Sequence, residues 1–252
     1  MSLSLARRGV PGRNTSPLPL RAAGSIFTCL VLTLGACEKG EIPPHVTQAE
    51  LEAERQAQDP KRFLTGGERV FFDDFQRPEL GDKWVQDRIA SESEPPSWAI
   101  DNGWVRTGKT KNQGIYANAI PTTGNVRIEI SMASDKPLAG AFAGDLKIEA
   151  FNTEPKHEKG YSFINGGWNN RFDTIAKLGE HTADDKRKPA REIEEGKVYR
   201  YAVVLAGAQI HWFREGELLY TFEDRTPVRG PWLGLNAWLS NARFDEVAVY
   251  KL

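Results

Sequence analysis

From Arg69 to the C-terminus the sequence is cut into short β-branched and aromatic runs separated by Gly, Pro, Asn and Asp, with almost no helical period between them. The clearest run covers residues 125–133. There Val126, Ile128, Ile130 and Met132 fall on one side and Arg127, Glu129 and Ser131 on the other, the pattern of a strand with one face buried. Trp98-Ala99-Ile100 and Trp104-Val105-Arg106 flank Asp101-Asn102-Gly103, residues that tolerate the positive φ of a tight hairpin. Further strands are expected at 114–120, 146–151, 161–165, 172–177, 198–205, 209–213, 218–222, 232–239 and 244–250. About a dozen strands with no helices to cover them point to an all-β domain of two antiparallel sheets packed face to face.

Such a domain must hold itself together by burial alone. Both cysteines fall at or before Cys37, so the β domain has neither disulfide nor thiol chemistry. Its seven Trp, twelve Phe and six Tyr lie nearly all after Phe63 and supply large apolar areas for a core. Setting aside residues 1–36 removes four of the 33 basic side chains and none of the 34 acidic ones, which leaves 29 against 34 and a net charge of about −5. That balance disfavours nucleic acid as a partner.

The chain ahead of the domain reads as an address. Arg7, Arg8, Arg13 and Arg21 precede an apolar run from Ser25 to Leu34, which has the basic and apolar regions of an export signal but is too short for a permanent span. Gly9-Val10-Pro11 continues Arg7-Arg8 poorly as a twin-arginine signal. Leu34-Gly35-Ala36-Cys37 resembles the lipobox of bacterial lipoproteins. The resemblance implies cleavage before Cys37 and multiple acylation of that residue, palmitate included, which would anchor the chain firmly where a single acyl chain would not. Glu38 in place of Asp after Cys37 leans towards the outer membrane by analogy with enteric sorting. Residues 1–36 are therefore expected to be a signal peptide, 37–67 a flexible tether with a short helix opened by the Thr47/Glu50 capping pattern, and 68–252 the β-sandwich.

Two segments carry a second resemblance. Val70-Phe71-Phe72-Asp73-Asp74-Phe75 with Leu80-Gly81-Asp82-Lys83-Trp84, and Trp232-Leu233-Gly234-Leu235 with the stretch from Ala242 to Tyr250, are similar to the concanavalin A-like lectin/glucanase superfamily. The resemblance implies a jelly-roll β-sandwich in which the first and last strands lie side by side and one sheet curves into a sugar-binding face. Phe244 and Val247 are out of phase, so a bulge or burial on both faces is expected between them. The opening also resembles the 3-keto-disaccharide hydrolase-like domains. No cofactor is expected; a structural calcium on Asp73, Asp74 and Asp245 is suggested only by the fold resemblance.

Glucan-cleaving members of that superfamily place three carboxylates on one strand face at period-two spacing. The nearest segment here is Asp145-Leu146-Lys147-Ile148-Glu149, where Lys147 stands in place of the middle acid. Asp145 and Glu149 are thus the catalytic candidates, with a charge-balanced strand face as the plain alternative. The parts of a sugar site are more evident after the strand at 161–165. Gly166-Gly167 leads into Trp168, Asn169, Asn170 and Arg171, and a second strand ends at Glu180-His181. A flat aromatic face suits sugar C–H groups, while amides and a guanidinium suit hydroxyls or a uronate. Trp232, Asn236 and Trp238 fall together on the side of their strand away from Leu233, Leu235, Ala237 and Leu239, which are expected in the core, and this makes them either a ligand platform or packing for loops. The four histidines show no metal-binding spacing, and His181 is the one placed beside the other candidates. Mixed charge runs at 184–188 and 191–195 read as solvated loop. The expected function is a lipid-anchored envelope protein, lectin-like, that binds carbohydrate through the sandwich. An enzyme acting on a saccharide and a non-catalytic surface scaffold remain as alternatives.

Overall fold

The structure, a computed structural model, describes residues 48–87, 98–107, 110–135, 143–182 and 185–252. The leader, Cys37 and the start of the expected tether lie outside the described residues. Helix α1 (Gln48–Gln58) is followed by a 3-10 turn over Pro60–Leu64, whose Asp59 cap accepts a hydrogen bond from the Lys61 amide at 2.9 Å.

Fifteen strands follow among the described residues. They are β1 (Glu68–Asp73), β2 (Val85–Gln86), β3 (Trp98–Asp101), β4 (Trp104–Thr107), β5 (Ile115–Asn118), β6 (Val126–Ser134), β7 (Leu146–Asn152) and β8 (Tyr161–Gly166), then β9 (Phe172–Lys177), β10 (Lys186–Pro189), β11 (Val198–Ala206), β12 (Gln209–Arg214), β13 (Glu217–Glu223), β14 (Trp232–Asn236) and β15 (Ala242–Lys251). One sheet has eight strands in the order β13-β12-β11-β6-β15-β4-β3, with β1 also on β15. The other has seven, in the order β10-β9-β8-β7-β14-β5-β2, and all pairings are antiparallel.

The inner faces meet where the sequence period puts them. Val126, Ile128, Ile130 and Met132 of β6 share one core with Leu146, Ile148 and Ala150 of β7 and Leu233 and Leu235 of β14. The first and last strands lie side by side, Phe72 opposite Ala248 and Asp73 opposite Val247. The phase slip in the last strand is a bulge: the β15–β6 register shifts between Asp245 and Ala248, and Glu246 takes φ 50°. Asn102 and Gly103 make the β3–β4 turn with φ 52° and 77°.

Three features depart from the sequence reading. The polar face of β6 is not open, because Arg127, 3% exposed, donates to the carbonyls of Phe63 at 2.8 Å, Thr65 at 3.2 Å and Gly66 at 3.0 Å. Those bonds seat the 3-10 turn on the eight-stranded sheet, where Phe63 and Leu64 pack against Ala202, Val204 and Phe213. Second, Lys186-Arg187-Lys188, expected as loop, forms edge strand β10 on β9; its charges and Pro189 are the means by which an exposed sheet edge resists further pairing. Third, β14 stops at Asn236 and not at Leu239, because the Asn236 side-chain oxygen accepts from the next amide at 2.8 Å and Leu239 turns to φ 48°.

Of the three aspartates considered for calcium, Asp73 is already engaged. Both oxygens of Asp73 accept from Arg77, at 2.5 and 2.8 Å, and Trp84 adds a third bond at 2.8 Å, so Asp73 offers little to an ion. Among the described residues no group of three or more His, Cys, Asp or Glu is disposed to hold a metal.

Candidate functional site

The period of β7 decides the site. Leu146, Ile148 and Ala150 face the core, which turns Lys147 and Glu149 to the outer face of the seven-stranded sheet. Both are nevertheless fully buried, since the segments after β7 and β9 lie across that face and bring His157 and Glu180 down onto it.

Every oxygen of Glu149 is satisfied. Oε1 accepts from Asn236 Nδ2 at 2.6 Å and lies 2.6 Å from His157 Nδ1, while Oε2 accepts from Tyr116 at 3.1 Å and Asn152 at 3.0 Å. Tyr116 reaches Glu149 by lying across Gly234, where a Cβ would come within 2.4 Å of its ring. Burial pushes the Glu149 carboxyl up, but the His157 contact, Lys147 and Asn236 together outweigh it and hold the group below the usual carboxylate range. Burial pulls His157 down, and its bond to the Glu149 carboxylate more than compensates, so the imidazole holds its proton to higher pH than an ordinary histidine. Lys147 Nζ donates to Asn112 Oδ1 at 2.5 Å and Glu180 Oε1 at 2.6 Å, and stands 3.8 Å from Asp145 Oδ1. His157 Nε2 lies 3.5 Å from Glu180 Oε1, which joins the two ion pairs into one chain.

Above this chain an open cavity of about 450 Å³ has formed at one end of the sheet. Asp145 and Gly144 line it ahead of β7, and Trp168, Asn169 and Arg171 between β8 and β9. Glu180 and His181 contribute from beyond β9, Trp238 from beyond β14 and Asn112 from ahead of β5. Trp168, Asn169 and Asn170 are consecutive left-handed residues with φ 53°, 64° and 60°. Asparagine tolerates that region; for tryptophan it costs on the order of 1 kcal/mol or more, so the surrounding structure must impose it. Gly166 at φ 69° begins the turn where a Cβ would meet Asn170 Oδ1 at 2.6 Å. Asn170 then locks it through paired bonds to the Ile193 carbonyl and amide at 2.9 and 3.0 Å. The Trp168 ring is set edge-on to His181, centroids 5.3 Å apart, and Arg187 lies 4.1 Å over it.

The candidates therefore separate. Trp168, Asn169, Arg171, His181, Trp238 and Asp145 converge on the cavity. Asn170 is spent in holding the turn, and Asn236, fully buried, in holding Glu149. Trp232 is half-buried in β14 and does not line the cavity. Glu149 lies on the cavity's side of the sheet but is sealed beneath it. Asn112, Lys147, His157 and Tyr116 were not anticipated as members of the site. An isolated lysine alternating with two acids on a strand that carries core residues is the signal that could have revealed Lys147. His157 carries no such signal, since a loop fold brings it in.

No protein-family model matches the sequence, and no curated protein matches it. Solved structures do. The carbohydrate-binding module CBM66 from Bacillus subtilis is 14% identical with a TM-score of 0.53, over 68% of this chain and 98% of that one. The Bacillus licheniformis β-glucanase is 15% identical with a TM-score of 0.52, over 75% of this chain and all of that one, at 100%. The exoplasmic/lumenal domain of VIP36, in a Ca2+/Man-bound form, is 8% identical with a TM-score of 0.54, over 74% and 92%. The chain thus has the concanavalin A-like jelly-roll fold.

Proposed function

We propose that this protein binds carbohydrate in the cavity between Trp168 and Trp238. The supporting observation is the convergence of two tryptophans, Asn112, Asn169 and Arg171 on one opening of about 450 Å³, held in shape by a strained turn and a buried ionic floor. Flat apolar faces beside amide and guanidinium groups match a sugar, which has a C–H face and a hydroxyl rim. Three structural neighbours whose names mention a carbohydrate-binding module, a glucanase and a mannose-bound domain make the reading natural for this fold, though fold alone does not fix function.

The binding reading is favoured over hydrolysis by the state of Glu149. It is 0% exposed and its two oxygens receive four partners, so it is placed to hold the floor and not to meet a glycosidic bond. A glycan array probed with the full-length protein in detergent tests the proposal. Binding to a glycan should fall about tenfold or more in Trp238→Ala, as expected for loss of one stacking face. Trp238 is 46% exposed, so its melting temperature should stay put. Binding to no glycan, or binding untouched by that change, would refute it.

The address belongs to the same proposal. Cleavage before Cys37, acylation of that residue and an outer-membrane position would place residues 68–252 at the cell envelope, on a tether that begins at Cys37. Metabolic labelling with palmitate checks this, since label should enter the wild type and be lost in Cys37→Ser.

A further inference from the structure

We infer that the saccharide taken by this cavity is acidic, a uronate whose carboxylate is received by Arg171. The inference rests on the cavity being a sugar site and adds the class of sugar.

The charges around the opening are unequally satisfied. Asp145 accepts from the Trp238 amide at 2.9 Å and stands beside Lys147, and Glu180 accepts from Lys147 at 2.6 Å, so each acid of the floor already has its partner. On the rim, Arg187 is paired with Asp185 at 2.8 Å and lies over Trp168. Arg171 differs from all of these. Among the described residues its guanidinium pairs with no carboxylate and donates to no carbonyl, and it lies over the ring of Phe172, 5.4 Å from the ring centre. It is nonetheless not loosely carried. It follows directly on the left-handed run, and its amide donates to the Gly167 carbonyl at 2.9 Å, so the backbone that bears it is fixed by the Asn170–Ile193 lock.

A cation borne on a fixed backbone at the edge of a cavity, near a tryptophan and with Asp145, Glu180 and Asp185 already partnered, selects for a ligand that brings its own anion. The guanidinium fork matches a planar carboxylate with two parallel bonds, and a sugar ring carrying such a group would set its C–H face against tryptophan. Neutral sugars would leave that fork to water.

The test compares acids with their own esters. Oligomers of galacturonate, guluronate, mannuronate and glucuronate, and the methyl ester of each, are titrated into the full-length protein in detergent, beside a panel of neutral glycans. At least one acid should bind about tenfold or more tighter than its ester, with the preference shrinking at high salt. Arg171→Gln should abolish the preference, weakening the acid far more than its ester, with the melting temperature unchanged; Arg171→Lys should restore only part of it. An acid set bound no better than its esters, or a preference that survives Arg171→Gln, would overturn the inference. If neutral glycans bind in that event, the sugar-site reading stands without it; if nothing binds, both fall.

Discussion

Lys147 donates to Glu180 and Asn112 from a side chain only 1% exposed, so its loss would strand a carboxylate beneath the sheet's covering loops. Lys147→Met is expected to cost about 3–5 kcal/mol in urea unfolding, the range for breaking a buried ion pair from one side. A loss below about 1 kcal/mol would mean that the floor is solvated. His157 gives the pair with Glu149 a sign in pH. Its raised folded value makes its contribution full below the ordinary histidine value of 6.5 and lost as pH rises through the higher folded one. Glu149, depressed below the ordinary 4.5, contributes above that value and loses its contribution as pH falls through the lower folded one. The gap in melting temperature between wild type and His157→Gln should therefore be wide near about pH 6 and narrow by about pH 9. A gap that stays constant or grows over that interval would contradict the pairing.

At the scale of the element, β14 and β6 show how a strand can be closed on both faces. Gly234 leaves room for Tyr116 to cross β14, and a methyl group there would press on the ring at 2.4 and 2.7 Å. Gly234→Ala should cost about 1–3 kcal/mol and weaken the Tyr116 contact with Glu149, seen as a drop in denaturation midpoint. Arg127 does the same for β6 with a polar group, three carbonyls taking its guanidinium hydrogens. Arg127→Met should release residues 60–66 to fast hydrogen exchange and lower stability by about 2–4 kcal/mol. These two strands also show what the sequence could tell. The alternation in β6 and β14 identified the inward residues, because burial there depends only on period. It could not identify what lay outside, because whether Arg127 meets water or the Phe63 carbonyl is settled by a chain segment some sixty residues away. For the same reason Trp168 and Trp238 were legible as candidates from composition and spacing, whereas Asn236 and His157 took on structural roles that only tertiary contacts define.

For the whole molecule, two sheets enclose one apolar core, the end strands pair, and one edge is armed with lysine and arginine. This leaves the outer face of the seven-stranded sheet as the place where polar groups gather, with a closed ionic layer below and an open aromatic cavity above. The division of labour is the main claim: the ionic chain from Asp145, at the cavity, to the buried Glu149 shapes the floor, and the tryptophans and Arg171 meet the ligand. Tryptophan indole N–H resonances report on it directly, since Trp168 and Trp238 line the cavity while Trp84, Trp98 and Trp212 are buried in the core. In a titration with the glycan that the array selects, the signals of Trp168 and Trp238 should move and saturate together while those of Trp84, Trp98 and Trp212 stay in place. Saturable shifts confined to other tryptophans, or a bound glycan that moves neither Trp168 nor Trp238, would contradict it.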